Sequence, residues 1–309
     1  MHLHGRLKLP PTLLILAAGL GDRFGGAKQL AEVGPGGATL VDYAIHDARR
    51  AGFLDVVIVT RPEHEEDLRS QVGRRTAGAA AIRFVHQDRP LGTGHAVLCA
   101  ERYLERPFAV ANADDFYGTD AWTRLYDLLS GPQEHNVVTV YPLRTTLSPF
   151  GGVSRAVCEV DPDGCLTGIM ELLDVRSEGG GLRGQTVDGR TVPLVGDEPV
   201  SMNLWGLWPA LLPALRASFD RFREAGSGVP AAGRSPSDAT KEEFRLSEAM
   251  HELIRRGEAS VRVAPVSGPW FGLTWPEDLP RVRGRIEELI DEGAYPADLS
   301  AAMARPERG

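Results

Sequence analysis

Between positions 15 and 28 an apolar run, Ile15-Leu16-Ala17-Ala18, breaks into Gly19-Leu20-Gly21-Asp22-Arg23-Phe24-Gly25-Gly26-Ala27-Lys28. Residues 13–16 have the composition of a fully buried strand, and the glycines after them let the backbone turn tightly and present N–H groups with no side chain in the way. Such a loop suits a polyphosphate. Arg23, a planar fork, and Lys28, a point charge, would add the positive charge that backbone dipoles lack. Two commoner phosphate loops are excluded. The Walker pattern needs Ser or Thr after its Lys, and Gln29 follows Lys28; the dinucleotide fingerprint needs its third Gly where Phe24 stands. The glycines alone fit a ligand-free strand-to-helix turn equally well. The basic pair, with what lies downstream, favours the phosphate.

A second cluster is Asn112-Ala113-Asp114-Asp115-Phe116-Tyr117-Gly118, directly after an apolar strand. Adjacent carboxylates at the end of a buried strand are costly unless a cation joins them, and Mg²⁺ shared between a carboxylate and a nucleotide phosphate is the natural one. A helix N-cap or Asx-turn also favours Asp here. Gln87-Asp88-Arg89-Pro90-Leu91-Gly92-Thr93-Gly94-His95 links a strand to a helix. Gln carries a donor and an acceptor suited to a nucleobase edge, and Gly92 lets a base lie against backbone. Thr93 also reads as the N-cap of the following helix, and His95 as a packed or exposed side chain within it.

The elements that must position these residues alternate. Strand 13–16 precedes helix Leu40–Ala51, strand 56–60, helix 63–72, strand 82–85, helix 93–103 and strand 107–111. Repeated β-α-β-α with apolar strands predicts a parallel sheet covered on both faces, with ligands beyond the carboxyl ends of its strands. Segments 137–142, 155–160, 168–173 and 199–207 read as strands of a mixed extension, and 277–292 as a closing helix. Polar Gly/Pro/Ser-rich stretches at about 176–197 and 226–238 read as surface loops or mobile lids.

At 309 residues the chain is long enough for one large α/β domain. Residues 12–295 are expected to form it, between an N-terminal tail (1–11) and a C-terminal tail (296–309). A net charge of −8 argues against nucleic acid, which needs a basic face. Cys99, Cys158 and Cys165 are odd in number and lack metal-ligand spacing, so reduced thiols are expected. With no membrane-length apolar run and no secretion-signal core at the N-terminus, a cytoplasmic protein without a membrane partner is expected.

The loop closely resembles the signature of the nucleotidyltransferases that activate sugar phosphates and related alcohol phosphates, commonly Leu-Ala-Ala-Gly-x-Gly-x-Arg followed by a Lys. The resemblance implies a Rossmann-like three-layer α/β/α sandwich of the glycosyltransferase-A-like type with a mixed central sheet. It also implies that Leu16, Ala17, Ala18, Gly19 and Gly21 bind nucleotide and that Arg23 and Lys28 are catalytic. Gln87, Gly92 and Thr93 resemble the base-recognition segment of the uridylyltransferases acting on N-acetylglucosamine 1-phosphate, where Gln precedes Gly-Thr at the same interval. The family's metal-binding Asp follows its strand as Asp114 does, with Asp115 second. Asn112, Gly152, Glu171 and Asn203 would bind the acceptor; Glu171-Leu172-Leu173-Asp174 resembles the family's Glu-x-x-Asp. Leu172 stands where other members carry a Lys, removing any phosphate contact from there. Thr274 occupies the second metal-ligand position, usually Asp or Asn, and Asp278 fits the start of the last helix for dipole reasons.

The implied reaction is Mg²⁺-dependent attack of a sugar 1-phosphate on the α-phosphate of an NTP, giving an NDP-sugar and pyrophosphate. Its partners would be the NTP and a sugar phosphate or related phosphorylated acceptor, and a homo-oligomer is left open. Two alternatives stand beside it: a cytidylyltransferase-like enzyme with an alcohol, cyclitol or phosphonate acceptor, and a silent nucleotide-binding paralogue.

Overall fold

The computed structural model describes residues 9–21, 24–76, 81–226 and 243–304. β1 (Thr12–Ala17) leads to α1 (Leu40–Ala51), β2 (Asp55–Thr60), α2 (Glu65–Thr76), β3 (Ala81–His86), α3 (Thr93–Cys99) and β4 (Phe108–Asn112). A short β5 (Asp115–Phe116) and α4 (Thr119–Ser130) come next, then β6 (Asn136–Pro142), β7 (Val153–Val160), β8 (Leu166–Glu178), β9 (Gly181–Thr186), β10 (Thr191–Leu194) and β11 (Pro199–Leu207). The remaining elements are α5 (Leu212–Gly226), α6 (Leu246–Arg255), β12 (Val261–Pro265), β13 (Phe271–Gly272), α7 (Asp278–Asp291) and α8 (Leu299–Ala304).

The main sheet runs β10-β9-β8-β7-β11-β4-β1-β2-β3, with β6 beside β11 and β12 beside β6, while β5 and β13 pair separately. β3, β2, β1 and β4 are mutually parallel and β11 is antiparallel to β4, so the sheet is mixed. The chain steps from β1 outward to β3 and then returns to lay β4 on the other side of β1. That reversal opens a crevice at the carboxyl ends of β1 and β4, where ligands of such sheets sit.

Both faces are covered, as the unbroken apolar run of β1 requires. Leu13, Ile15 and Ala17 pack into a core with residues of α1, α2, α4, α7 and α8. Leu14 and Leu16 face the opposite core, shared with α3, α5 and α6. α1 is held at its start by a reciprocal cap, with Asp42 accepting from the backbone N–H (2.7 Å) and hydroxyl (2.9 Å) of Thr39. Its end is set by Gly52 at φ 116°, where a Cβ would strike the ring of Tyr126.

Three expectations about irregular segments are revised. The 176–197 stretch is the end of β8 followed by β9 and β10, an antiparallel ribbon on the sheet edge. Gly179 and Gly180, both at positive φ (61° and 84°), form a two-residue hairpin turn whose backbone twist suits the flanking strands. The expected C-terminal tail contains α8, whose Leu299 and Met303 are buried in the first core. Helix 93–103 is instead α3 followed by a separate 3₁₀ turn, Glu101–Tyr103. Most of the expected loop at 226–238 lies outside the described residues. The three cysteines are free thiols, and no described helix is long and apolar enough to cross a membrane.

Candidate active site

β1 and β4 end side by side, the N–H of Ala113 donating to the carbonyl of Leu16 at 3.1 Å, so the glycine loop and Asp114 leave the sheet at one point. The loop curls on itself, with the Gly21 carbonyl accepting from Phe24 (2.9 Å) and Gly25 (3.0 Å). Gly21 sits at φ 67°, and a Cβ there would lie 2.2 Å from the Gly26 carbonyl oxygen, so only glycine fits. The loop delivers Lys28 into a 3₁₀ turn, where its ammonium pairs with the Asp114 carboxylate and approaches the Leu273 carbonyl at 3.4 Å. Arg23 lies outside the described residues.

Asp115 differs from its neighbour. It is 7% exposed, and its Oδ2 accepts from Asn112 Nδ2 at 2.8 Å, with the Tyr117 hydroxyl 3.3 Å away. Burial, then the neighbouring Asp114 charge, pushes its carboxyl well above the ordinary range. Its Oδ2 is engaged within the protein, whereas the neighbouring Asp114 carboxylate pairs with Lys28. Asp278, at the start of α7, accepts from the N–H groups of Thr274 (2.9 Å) and Trp275 (2.8 Å), tying the preceding turn to the helix.

On the far side of the loop, Gln87 is nearly buried at 4% exposure. Its Nε2 lies 3.0 Å from the Gly92 carbonyl and 2.9 Å from His95 Nδ1, so the amide nitrogen holds the turn and leaves Oε1 for a ligand. Burial, aided by nearby arginines led by Arg216, lowers the His95 pKa and favours the neutral ring, in which Nδ1 can accept from the Gln87 amide. His95 therefore acts on Gln87 and stacks on Phe219 at 5.0 Å. Gly92, at φ 99°, precedes α3 as its N-cap; a Cβ there would meet the Phe244 backbone at 2.6 Å. The Thr93 hydroxyl accepts from the Leu246 N–H at 2.9 Å, so Thr93 caps α6, not its own helix.

At the acceptor end, Asn203 occupies a bulge of β11 at φ 62°, rare for a residue with a side chain. Its Nδ2 donates to Asn112 Oδ1 at 2.7 Å and its Oδ1 accepts from Trp205 Nε1 at 3.0 Å. Glu171, on β8, accepts no hydrogen bond from the described residues; burial, partly offset by Arg245, raises its pKa. Gly152 falls away from this group and packs against Asp174, whose Oδ1 would lie 2.0 Å from a Cβ at 152.

Of the sequence-predicted residues that are described, all but Gly152 line one cavity of about 520 Å³, a size suited to a small-molecule ligand. Leu16, Ala17, Ala18, Gly19, Gly21 and Lys28 form one wall, Gln87, Gly92 and Thr93 a second. Asn112, Asp114, Asp115, Glu171, Asn203 and Thr274 complete the lining. Sequence reasoning missed Arg155, Arg245 and Trp270, which also line it. Arg155 is buried on β7 beneath Trp270, its guanidinium 5.0 Å from the ring centroid. A signal for it existed: Arg155 shares the inward face of Val153 and Val157 at strand period. Arg245 carries no such local signal.

The profile of the MobA-like NTP transferase domain matches residues 13–173, more than half of the chain. The UTP-glucose-1-phosphate uridylyltransferase YngB of Bacillus subtilis is 32% identical over 159 residues, 42% of this chain and 53% of that protein. A bifunctional IPC transferase and DIPP synthase of Rubrobacter xylanophilus is 25% identical over 270 residues, 86% of this chain and 49% of that protein. The chain thus spans about half the length of these curated relatives. The inositol-1-phosphate CTP transferase of T. maritima shares the fold at 15% identity, with a TM-score of 0.60 over 90% of this chain and 97% of that one.

Proposed function

The chain belongs to the MobA-like NTP transferase family, and on that premise we propose that it transfers a nucleoside monophosphate from an NTP to a sugar 1-phosphate, releasing pyrophosphate and an NDP-sugar. One observation carries this reading. A single cavity joins the glycine loop and the Lys28–Asp114 pair to Glu171 and Asn203, so groups suited to a triphosphate and to a hydroxyl-rich acceptor share one site.

In that arrangement an acceptor phosphate oxygen forms a bond to the α-phosphorus while the bond to the departing pyrophosphate breaks. A phosphate anion is already a nucleophile, so no general base is needed, and alignment and charge neutralisation carry the rate. Lys28 stabilises the phosphates, and the assignment of Arg23 to the same role rests on the family motif. Asp114 fits Mg²⁺: it is a carboxylate at the cavity, 18% exposed, and it already attracts a cation in the form of Lys28. Mg²⁺ ordinarily takes one or two carboxylates and completes its shell with water and substrate phosphates. When bound, the ion would neutralise phosphate charge. Thr274 lines the same cavity and offers a neutral hydroxyl, while Asp278 is committed to backbone donors. We place the reaction in the cytoplasm, where nucleoside triphosphates are plentiful.

A second reading keeps the chemistry and changes the acceptor to a polyol phosphate. The relative aligned along 86% of this chain is named an IPC transferase, which favours testing it. Pyrophosphate release with each NTP against sugar 1-phosphates and inositol 1-phosphate separates the outcomes. Turnover with a hexose 1-phosphate supports the first reading, and turnover confined to CTP and inositol 1-phosphate supports the second. Nucleotide binding without turnover of any pair overturns both.

A further inference from the structure

A single line of hydrogen bonds runs beneath the acceptor end of the cavity. Trp205 Nε1 donates to Asn203 Oδ1 (3.0 Å), Asn203 Nδ2 to Asn112 Oδ1 (2.7 Å), and Asn112 Nδ2 to Asp115 Oδ2 (2.8 Å). Its polarity is fixed from the Trp205 end. An indole nitrogen only donates, so Asn203 must turn its Oδ1 to Trp205 and its Nδ2 to Asn112 Oδ1, which leaves Asn112 Nδ2 to donate to Asp115 Oδ2. Reversing either would set donor against donor or acceptor against acceptor in a site where unmet polar groups are costly.

The Asp115 end is anchored independently. The Tyr117 hydroxyl lies 3.3 Å from Asp115 Oδ2 and 3.0 Å from the Met202 carbonyl, while accepting from the Asn112 N–H at 3.0 Å. Gly272 closes the other side, since a Cβ there would stand 2.3 Å from Asp115 Oδ1. Asp115 thus belongs to a rigid floor, whereas Asp114, one residue earlier, pairs with Lys28.

We propose that Asp115 is the positioning residue of the acceptor pocket, fixing the Asn112 amide and through it the Asn203 amide, so that the remaining Asn203 Nδ2 hydrogen is held in one direction for the acceptor. The assignment of Asn203 to the acceptor rests on the function proposed above. Asn203 then selects an acceptor oxygen with a free lone pair, and Glu171, an acceptor-only group when ionised, selects a hydroxyl. Together they favour an acceptor that carries neighbouring hydroxyls.

The test uses Asp115→Val, Asp115→Asn and Trp205→Phe in the full chain, with two readouts. The first is the indole N–H resonance of Trp205, assigned by its loss in Trp205→Phe. It should shift in Asp115→Val, three hydrogen bonds away, and return towards the wild-type position in Asp115→Asn, which retains an acceptor oxygen. The second is steady-state kinetics. Asp115→Val and Trp205→Phe should raise the acceptor KM about tenfold, with the NTP KM and the Mg²⁺ half-saturation within about twofold of wild type. An unmoved indole resonance in a folded Asp115→Val protein overturns the proposal, as does a large rise in Mg²⁺ half-saturation with unchanged acceptor KM, which would make Asp115 a metal ligand. If Asp115→Val does not fold, Trp205→Phe decides, and an unchanged acceptor KM in it overturns the proposal. If wild type turns over no acceptor, the functional reading fails while the resonance still decides the role of Asp115.

Discussion

Lys28→Met separates two roles that the free protein superimposes on one ammonium. The substitution keeps the length of the stem and removes the charge. In the structure Lys28 and its partner Asp114 are 25% and 18% exposed, so the pair sits in a cleft neither dry nor fully hydrated. At an effective dielectric of about 20, unit charges roughly 4 Å apart interact by about 4 kcal/mol. Bound substrate feels part of this as strongly as the transition state does. Leaving about 3 kcal/mol for the transition state alone predicts a loss in kcat of roughly 150-fold.

The same variant should bind Mg²⁺ more tightly in the absence of NTP, because Lys28 competes for the Asp114 carboxylate in the free protein. Better metal binding with worse catalysis is an uncommon pairing. Calorimetric titration of Mg²⁺ into the nucleotide-free variant measures the first, and pyrophosphate release at saturating NTP and Mg²⁺ with acceptor varied measures the second. Unfolding stability should fall by no more than about 1 kcal/mol, as for other partly solvated pairs. A kcat within about threefold of wild type, or a loss confined to acceptor KM, would refute the assignment of Lys28 to the triphosphate.

Gln87→Ala removes the amide that bonds the Gly92 carbonyl and His95, so it should cost about 1–3 kcal/mol in discrimination between NTPs and leave acceptor choice intact; competition assays with NTP pairs read it. Glu171→Gln should raise the acceptor KM about tenfold yet raise the melting temperature at pH 7. The sign follows from burial, which lifts the carboxyl above its ordinary 4.5: the unfolded chain loses this proton first, so the native state loses stability as pH rises through that window, and the variant's advantage should vanish below 4.5. Leu299→Ala, at a buried position of α8, should cost about 2–4 kcal/mol in chemical denaturation; a value near zero would restore residues 296–309 to a tail.

The parallel half of the fold was legible because its apolar strand runs are local signals. Two unread helices also carried theirs. Trp122, Leu125 and Leu129 in α4, and Leu246, Ala249, Met250 and Leu253 in α6, recur at helical spacing and are buried. The hairpin at Gly179-Gly180 went unread for a different reason: a solvated ribbon has no strong apolar period, and glycine pairs resemble flexible loops until their turn type is considered. Arg245 reaches the cavity only through the packing of α6 against β8, which no local pattern encodes.

The sharpest divergence concerns Asp114 and Asp115. As neighbours of one residue type after one strand, they are equivalent to any reading based on composition. β5 begins at Asp115 and pairs Gly272 with it, and successive side chains of an extended chain point to opposite sides. One carboxylate therefore meets Lys28 in the cavity while the other is turned onto Asn112 and Tyr117. The pairing partner that fixes this alternation lies more than 150 residues downstream, at Gly272, whose missing side chain leaves room for Asp115 Oδ1. A substitution at Gly272 should thus disturb Asp115 before Asp114. Gly272→Ala would be expected to reproduce the acceptor defect of Asp115→Val while leaving Mg²⁺ half-saturation near wild type, and the opposite pattern would show that the two carboxylates share one role.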